Sequence, residues 1–178
     1  KIYADNTDGY GFIENIQQHA PDWQAKDGPA LVLGAGGAAR AIVSALLEAG
    51  APEVYISNRT RSRADQIKSD FGNRVNVVEW VKASTEIEHT HTLVNTTSLG
   101  MTGKPALNIS LKGLRPETLV TDIVYTPLET EFLQAARSKG STVVDGLGML
   151  IHQAVPGFER WFGQKPVVDQ EIRDILIP

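Results

Sequence analysis

The sequence predicts a doubly wound α/β domain, a parallel sheet flanked by helices on both faces, and three observations carry that expectation. Short apolar runs recur along the chain as strand candidates, and none has the polar alternation of a sheet with one wet face. Segments of helical period separate several of these runs, the pattern of strand–helix–strand crossovers. Glycines stand where those helices should end, at Gly50, Gly72 and Gly140. A chain of 178 residues is long enough to bury one good core and short for two.

Residues 1–3 read as extended, and Thr7 or Asp8 caps a helix that runs through Phe12, Ile13 and Ile16 towards His19. Residues 21–29 read as a polar linker. A buried strand is expected at 30–33 and a helix at 38–49, ended by Gly50. The second strand is 53–57, with Val54, Tyr55 and Ile56 at its centre. Thr60 should cap the next helix, which continues through Ile67 to Phe71. Further strands are expected at 75–78, 92–95, 119–123 and 142–144. A helix at 131–138 separates the last two, and helices at 150–162 and 169–176 complete the chain. No internal repeat or low-complexity tract interrupts this order.

Composition excludes several classes of function. A net charge of −4 argues against a general nucleic-acid or anionic-membrane surface, so local basic clusters carry more meaning than the total. The chain has no cysteine, which removes disulfides and thiolate metal sites and fits a cytoplasmic protein. No apolar run approaches the roughly 20 residues that span a bilayer, and no signal-peptide pattern is visible. The four histidines lack ligand spacing, so no metal site is expected. The opening stretch "KIYADNTDGYGF" has no methionine and reads as though cut from something longer.

The stretch "LVLGAGGAAR" holds the strongest functional signal. Gly34-x-Gly36-x-x-Ala39 follows the first strand and opens a helix, the arrangement of the dinucleotide fingerprint with alanine third. Gly34 permits a tight turn, Gly36 lets backbone approach a pyrophosphate, and Ala39 lets the helix pack close to its strand. Unpaired N–H groups around Ala35, Gly36, Gly37 and Ala38 would then hold phosphates at the positive end of the helix. A merely tight strand–helix turn would look similar; the flanking strand and helix favour the nucleotide, and a Rossmann-like sheet with it.

The second strand decides which dinucleotide. An NAD site wants a carboxylate about 20 residues on, to bind ribose hydroxyls. Here the strand ends "SNRTRSRA", with Asn58, Arg59, Thr60, Arg61 and Arg63 and no acid until Asp65. Guanidinium groups bind a 2′-phosphate with charge-assisted bonds, whereas a carboxylate repels it. A solvated basic helix start is the plainer alternative, but position in the fold points to NADP.

Three more stretches, "DNTDGYGF", "VNTTSLGM" and "DGLGMLIHQA", complete a pattern with "GAGGAARA" and "NRTRSRA". Together they closely resemble the shikimate dehydrogenase family, over essentially the whole chain but only the second half of that family's length. The resemblance implies NADP-dependent reduction of 3-dehydroshikimate to shikimate, in chorismate and aromatic amino-acid biosynthesis. It also implies that the family's N-terminal domain, with paired serines, an asparagine and the catalytic lysine, is not in this sequence. The chain is then a single NADP-binding domain, inactive alone, with helices in 1–20 and 148–178 joining it to that other domain. Without it, apolar surface around Trp161 and Phe162 would drive self-association; a monomer or a homodimer is expected, with a small-molecule substrate.

By the same resemblance Asp8 is the catalytic carboxylate that pairs with the lysine and binds a substrate hydroxyl. By pattern alone Asp8 is equally a favourable anion in a helix's first turn. Gln153 would bond a substrate hydroxyl, Tyr125 would stand near substrate, and Gly146 would place backbone beside the nicotinamide. On pattern alone these three read as a partly exposed polar position, a core aromatic and a routine turn. Asn95, Thr96, Thr97 and Ser98 lie where ribose and nicotinamide should pass, or form a capping cluster. His152 stands where the family usually has a small residue. An NAD-using quinate/shikimate dehydrogenase and a non-catalytic NADP-binding module are the alternatives. Glutamyl-tRNA reductase shares the glycine turn and an N-R-T stretch but lacks the other patterns.

Overall fold

The strands are β1 (Ala30–Leu33), β2 (Val54–Ser57), β3 (Val75–Val78), β4 (Thr92–Asn95), β5 (Leu119–Asp122) and β6 (Val143–Val144). They form one sheet in the order β3-β2-β1-β4-β5-β6, and each neighbouring pair is parallel. The computed structural model describes residues 4–177, so the extended stretch expected at 1–3 lies outside the described residues. Register aligns the carboxyl ends in a row: Leu33 pairs with Ser57 on one side and Asn95 on the other, and Asn95 pairs with Asp122.

The helices are α1 (Asp8–His19), α2 (Gly37–Glu48), α3 (Arg61–Phe71), α4 (Ala83–Glu86), α5 (Glu131–Arg137), α6 (Leu147–His152), α7 (Val155–Phe162) and α8 (Gln170–Leu176). Val32, Ile56 and Val94 pack on one face with Phe12, Ile16, Ile42 and Ile67, while Leu31, Leu33, Leu93 and Val120 pack on the other with Ile87 and Leu133. Alternate residues of the central strands therefore enter two separate cores, which is why β1 reads as an unbroken apolar run and β4 is apolar at both Leu93 and Val94. The doubly wound parallel architecture is the one the sequence predicts.

Three local expectations need correction. The helix expected at 150–162 starts earlier and is two helices, broken at Gln153 and Ala154. Pro156 explains the break: it has no N–H to donate, its ring clashes with the carbonyl four residues back, and it sits instead in the first turn of α7. The linker at 21–29 is not merely polar. It contains a 3-10 turn at Ala25–Asp27, and Trp23 is buried with its Nε1 donating to Thr92 Oγ1 at 2.9 Å. Thr60 holds the N-cap position of α3, but its side chain makes no cap hydrogen bond.

Helix α1 lies between α2 and α6 at backbone distance. A Cβ on Gly9 would stand 3.1 Å from Ala45 Cβ, and one on Gly11 would stand 2.6 Å from the Met149 carbonyl and 2.7 Å from the Gln153 nitrogen. His152 is buried in the same region, with Nε2 donating to Gln18 Oε1 at 2.8 Å. Burial pushes its pKa below the usual histidine range, so it ties α6 to α1 as a neutral ring.

Candidate functional site

The glycine turn leaves β1 at the row of carboxyl ends. Gly34 has φ +111°, in the region where a side chain is strained, and its Cβ would lie 2.5 Å from Thr96 Oγ1. Its N–H donates to the Ser57 carbonyl at 2.7 Å, which ties the turn to the end of β2. Gly36 is the N-cap of α2 and offers no side-chain acceptor, so the first-turn N–H groups face outward without a capping side chain. A Cβ built on Gly36 or on Gly37 meets nothing within 4 Å. Ala39 is fully buried and lets α2 close onto the sheet.

At the end of β2 the arginines divide. Arg61 faces Asp65 at 3.6 Å and Glu79 at 3.7 Å. Arg59 and Arg63 are exposed and make no ion pair among the described residues. Asn58 Nδ2 donates to the Thr60 carbonyl at 2.8 Å and shapes the turn into α3.

A cleft of about 560 Å³ collects these groups. Gly34, Ala35 and Gly36 form its floor, Asn58, Arg59 and Arg63 one end, and Thr96, Thr97, Ser98 and Leu99 the opposite wall. Trp80, Ala106 and Asn108 complete it and were not expected; Trp80, just past the end of β3, is the one that a strand-end search would have found. Gly37 borders a smaller hollow beside it with Arg40 and Arg63, whereas Ala38 and Thr60 line neither. Arg40 is held by Asp70 at 2.5 Å, and that guanidinium keeps the Asp70 carboxyl below its ordinary pKa. A larger hollow of about 700 Å³ between α1 and α2 takes in Gly37 but neither Arg59 nor Arg63, and holds less of the expected chemistry.

A buried polar network stands behind the Thr96–Leu99 wall. Asp122 and Asn95 are both fully buried, and Asn95 Nδ2 donates to Asp122 Oδ1 at 2.9 Å. Asn95 Oδ1 accepts from Thr97 N at 3.0 Å and Thr97 Oγ1 at 2.8 Å, and Nδ2 also reaches the Leu99 carbonyl at 3.2 Å. Asp122 accepts further from Val124 N at 3.0 Å and Thr130 Oγ1 at 2.9 Å. Burial pushes the Asp122 carboxyl above the ordinary carboxylate range, against three donors that pull it back.

The remaining expected site residues lie outside the cleft. Asp8 is the first residue of α1, and its N–H donates to Asn6 Oδ1 at 2.9 Å, which supplies the cap that Thr7 does not. Gly11, one turn further on the same face, touches Gln153, so Asp8 and Gln153 occupy neighbouring turns. Gln153 is half-buried in the turn between α6 and α7 rather than inside a helix. Tyr125 is 45% exposed beyond β5, so it is not a core aromatic. Gly146 caps α6, its N–H bonded to the Val124 carbonyl at 3.2 Å.

Fold and cleft together define a Rossmann-like α/β domain of the kind on which dehydrogenases are built. The model of the shikimate / quinate 5-dehydrogenase family matches residues 15–109, and that of the shikimate 5′-dehydrogenase C-terminal domain matches residues 146–170. This chain belongs to the shikimate / quinate 5-dehydrogenase family. A relative from Paracoccus denitrificans (strain Pd 1222), named shikimate dehydrogenase (NADP(+)), is 62% identical over 177 residues, covering 99% of this chain and 63% of its own. The quinate dehydrogenase of Corynebacterium glutamicum, solved with NAD, superposes with a TM-score of 0.86 at 32% identity over 97% of this chain and 62% of that one. The shikimate 5-dehydrogenase of Thermus thermophilus, solved with NADP(H) and shikimate, gives 0.79 at 40% identity over 91% and 58%. The chain thus spans under two thirds of the length of these relatives. Among the described residues no helix is long and apolar enough to cross a membrane.

Proposed function

We propose that this chain captures NADP and forms the cofactor-holding part of an enzyme that reduces 3-dehydroshikimate to shikimate. The observation that carries the cofactor reading is the pair Arg59 and Arg63, exposed and without acidic partners among the described residues, in one cleft with the glycine turn. The open space over Gly36 fits a pyrophosphate at the N-terminus of α2. Arg59, Arg63 and Asn58 hold the 2′-phosphate, and Thr97 and Ser98 border the ribose beyond the turn. Bound NADPH supplies the hydride. Asp8 holds a substrate hydroxyl and, paired with the lysine characteristic of the family, moves a proton at the carbonyl oxygen. Gln153, in the turn beside Asp8, bonds a second hydroxyl; Tyr125 closes over the substrate, and the Gly146 backbone borders the nicotinamide. The 62% identity with a protein named for NADP supports this reading over an NAD-using quinate dehydrogenase. Such an enzyme serves chorismate and aromatic amino-acid biosynthesis in the cytoplasm, as a monomer or homodimer. Reduction needs the protein at the length of its relatives; cofactor capture needs only this chain.

Calorimetric titration of Arg59→Ala tests the reading. Hydrogen bonds to charged groups contribute about 1.5–3 kcal/mol, so NADP should weaken by roughly 10–100-fold. NAD affinity should stay as it is. An equal loss for both cofactors would remove the phosphate assignment.

A further inference from the structure

We infer that Asp122 is a positioning residue for the part of the cofactor that lies beyond the glycine turn, an inference that rests on the cofactor reading above. Strand order sets the geometry. The basic end of the cleft follows β2, the glycine turn follows β1, and the Thr96–Leu99 wall follows β4 on the far side. A dinucleotide anchored by its 2′-phosphate at Arg59 and crossing the turn must therefore meet that wall with its other half.

The wall owes its shape to Asn95, and Asn95 is held by Asp122. The Asn95 amide oxygen receives both the N–H and the hydroxyl of Thr97, while its NH₂ group is divided between the Leu99 carbonyl and Asp122. Thr97 Oγ1 in turn accepts from Leu99 N at 3.1 Å, closing the loop on itself. An asparagine side chain can rotate its oxygen and nitrogen into each other's places; the Asp122 carboxylate and the Leu99 carbonyl both forbid it, because only the NH₂ group can face an acceptor. Asp122 makes the shorter of these two acceptor contacts, 2.9 Å against 3.2 Å, and thus reinforces the orientation in which Thr97 is gripped. Its other two donors fix the segment after β5 at both ends: Val124 N, one residue before Tyr125, and Thr130, whose hydroxyl also caps α5. The Val124 carbonyl accepts from Gly146 N, so the start of α6 is tied to the same segment. All three donors point at an acceptor, and among the described residues no cation pairs with Asp122. A carboxylate buried without an ion pair costs stability that a purely structural position would avoid with a neutral residue. Its use here is orientation.

Two probes separate positioning from general damage: NADP, which spans the whole cleft, and adenosine 2′,5′-bisphosphate, which reaches only its basic end. Asp122→Ala should weaken NADP about tenfold, the loss of roughly one charge-assisted contact, and leave the bisphosphate within about twofold. Asp122→Asn keeps an Oδ1 acceptor for Asn95 and Val124 and should restore NADP to within about threefold of the parent chain. If Asp122→Ala does not fold, Asn95→Ala should give the same selective loss. Equal weakening of both probes, or no weakening of NADP, would overturn the inference. Failure of the parent chain to bind either probe would overturn the cofactor reading itself, and this inference with it.

Discussion

Gly36→Val should abolish NADP binding while the fold survives. Gly36 sits at φ −93° and ψ −166°, extended backbone that any residue can adopt, so valine introduces no strain there. Its Cβ would meet nothing within 4 Å, so the branch point of the side chain has open space in the protein. What it meets is the ligand. The branched side chain stands where a pyrophosphate must approach the first-turn N–H groups of α2, and separating them removes several charge-assisted hydrogen bonds at once. A loss beyond roughly 100-fold in affinity is expected, against a fold cost of about 1 kcal/mol for a poor N-cap residue. Titration with NADP alongside circular dichroism checks both halves. Normal binding by the variant would mean that the glycines serve the turn alone.

Gly146→Ala should do the reverse, damaging the fold directly. Gly146 lies at φ −82° and ψ −12°, ordinary helical backbone, so conformational freedom is not the reason for glycine here. Space is. An added Cβ would collide with the carbonyl group of Ile123 and stand 2.8 Å from the Val124 oxygen, and these are backbone atoms that cannot rotate away. The ends of β5 and β6 would have to separate. Overpacking against fixed backbone costs about 3 kcal/mol, which lowers the melting temperature by roughly 6–12 °C in a domain of this size. A thermal melt in which the variant matches the parent chain would show that β6 yields at little cost.

The strands were legible because the two cores make them so. Val75–Val78 and Thr92–Asn95 show their full length in the sequence, since Val75, Val77 and Val94 enter one core and Leu93 the other. The break between α6 and α7 was not, because apolar spacing continues through Gln153 and Ala154 and hides what Pro156 does to the backbone. The fingerprint at Gly34 and Gly36 is local chemistry and reads locally. Which arginines are free is not local: Arg61 is neutralised in part by Glu79, on a segment the fold brings alongside, while Arg59 and Arg63 are left open. Asp122 was missed for the same reason. Its side-chain partners Asn95 and Thr130 lie 27 and 8 residues away, and a single acid at a strand end gives no sign of them.

Because all six strands run in one direction, every loop that lines the cleft leaves the same edge of the sheet. The opposite edge lies a strand length of about 13 Å away. Pro52, before β2, and Lys139, before β6, are exposed there. The chain contains no cysteine, so Pro52→Cys or Lys139→Cys would create its sole thiol. Maleimide coupling at either position would fix every molecule to an electrode or bead in one orientation, cleft outward, which is the geometry a surface-bound cofactor sensor requires.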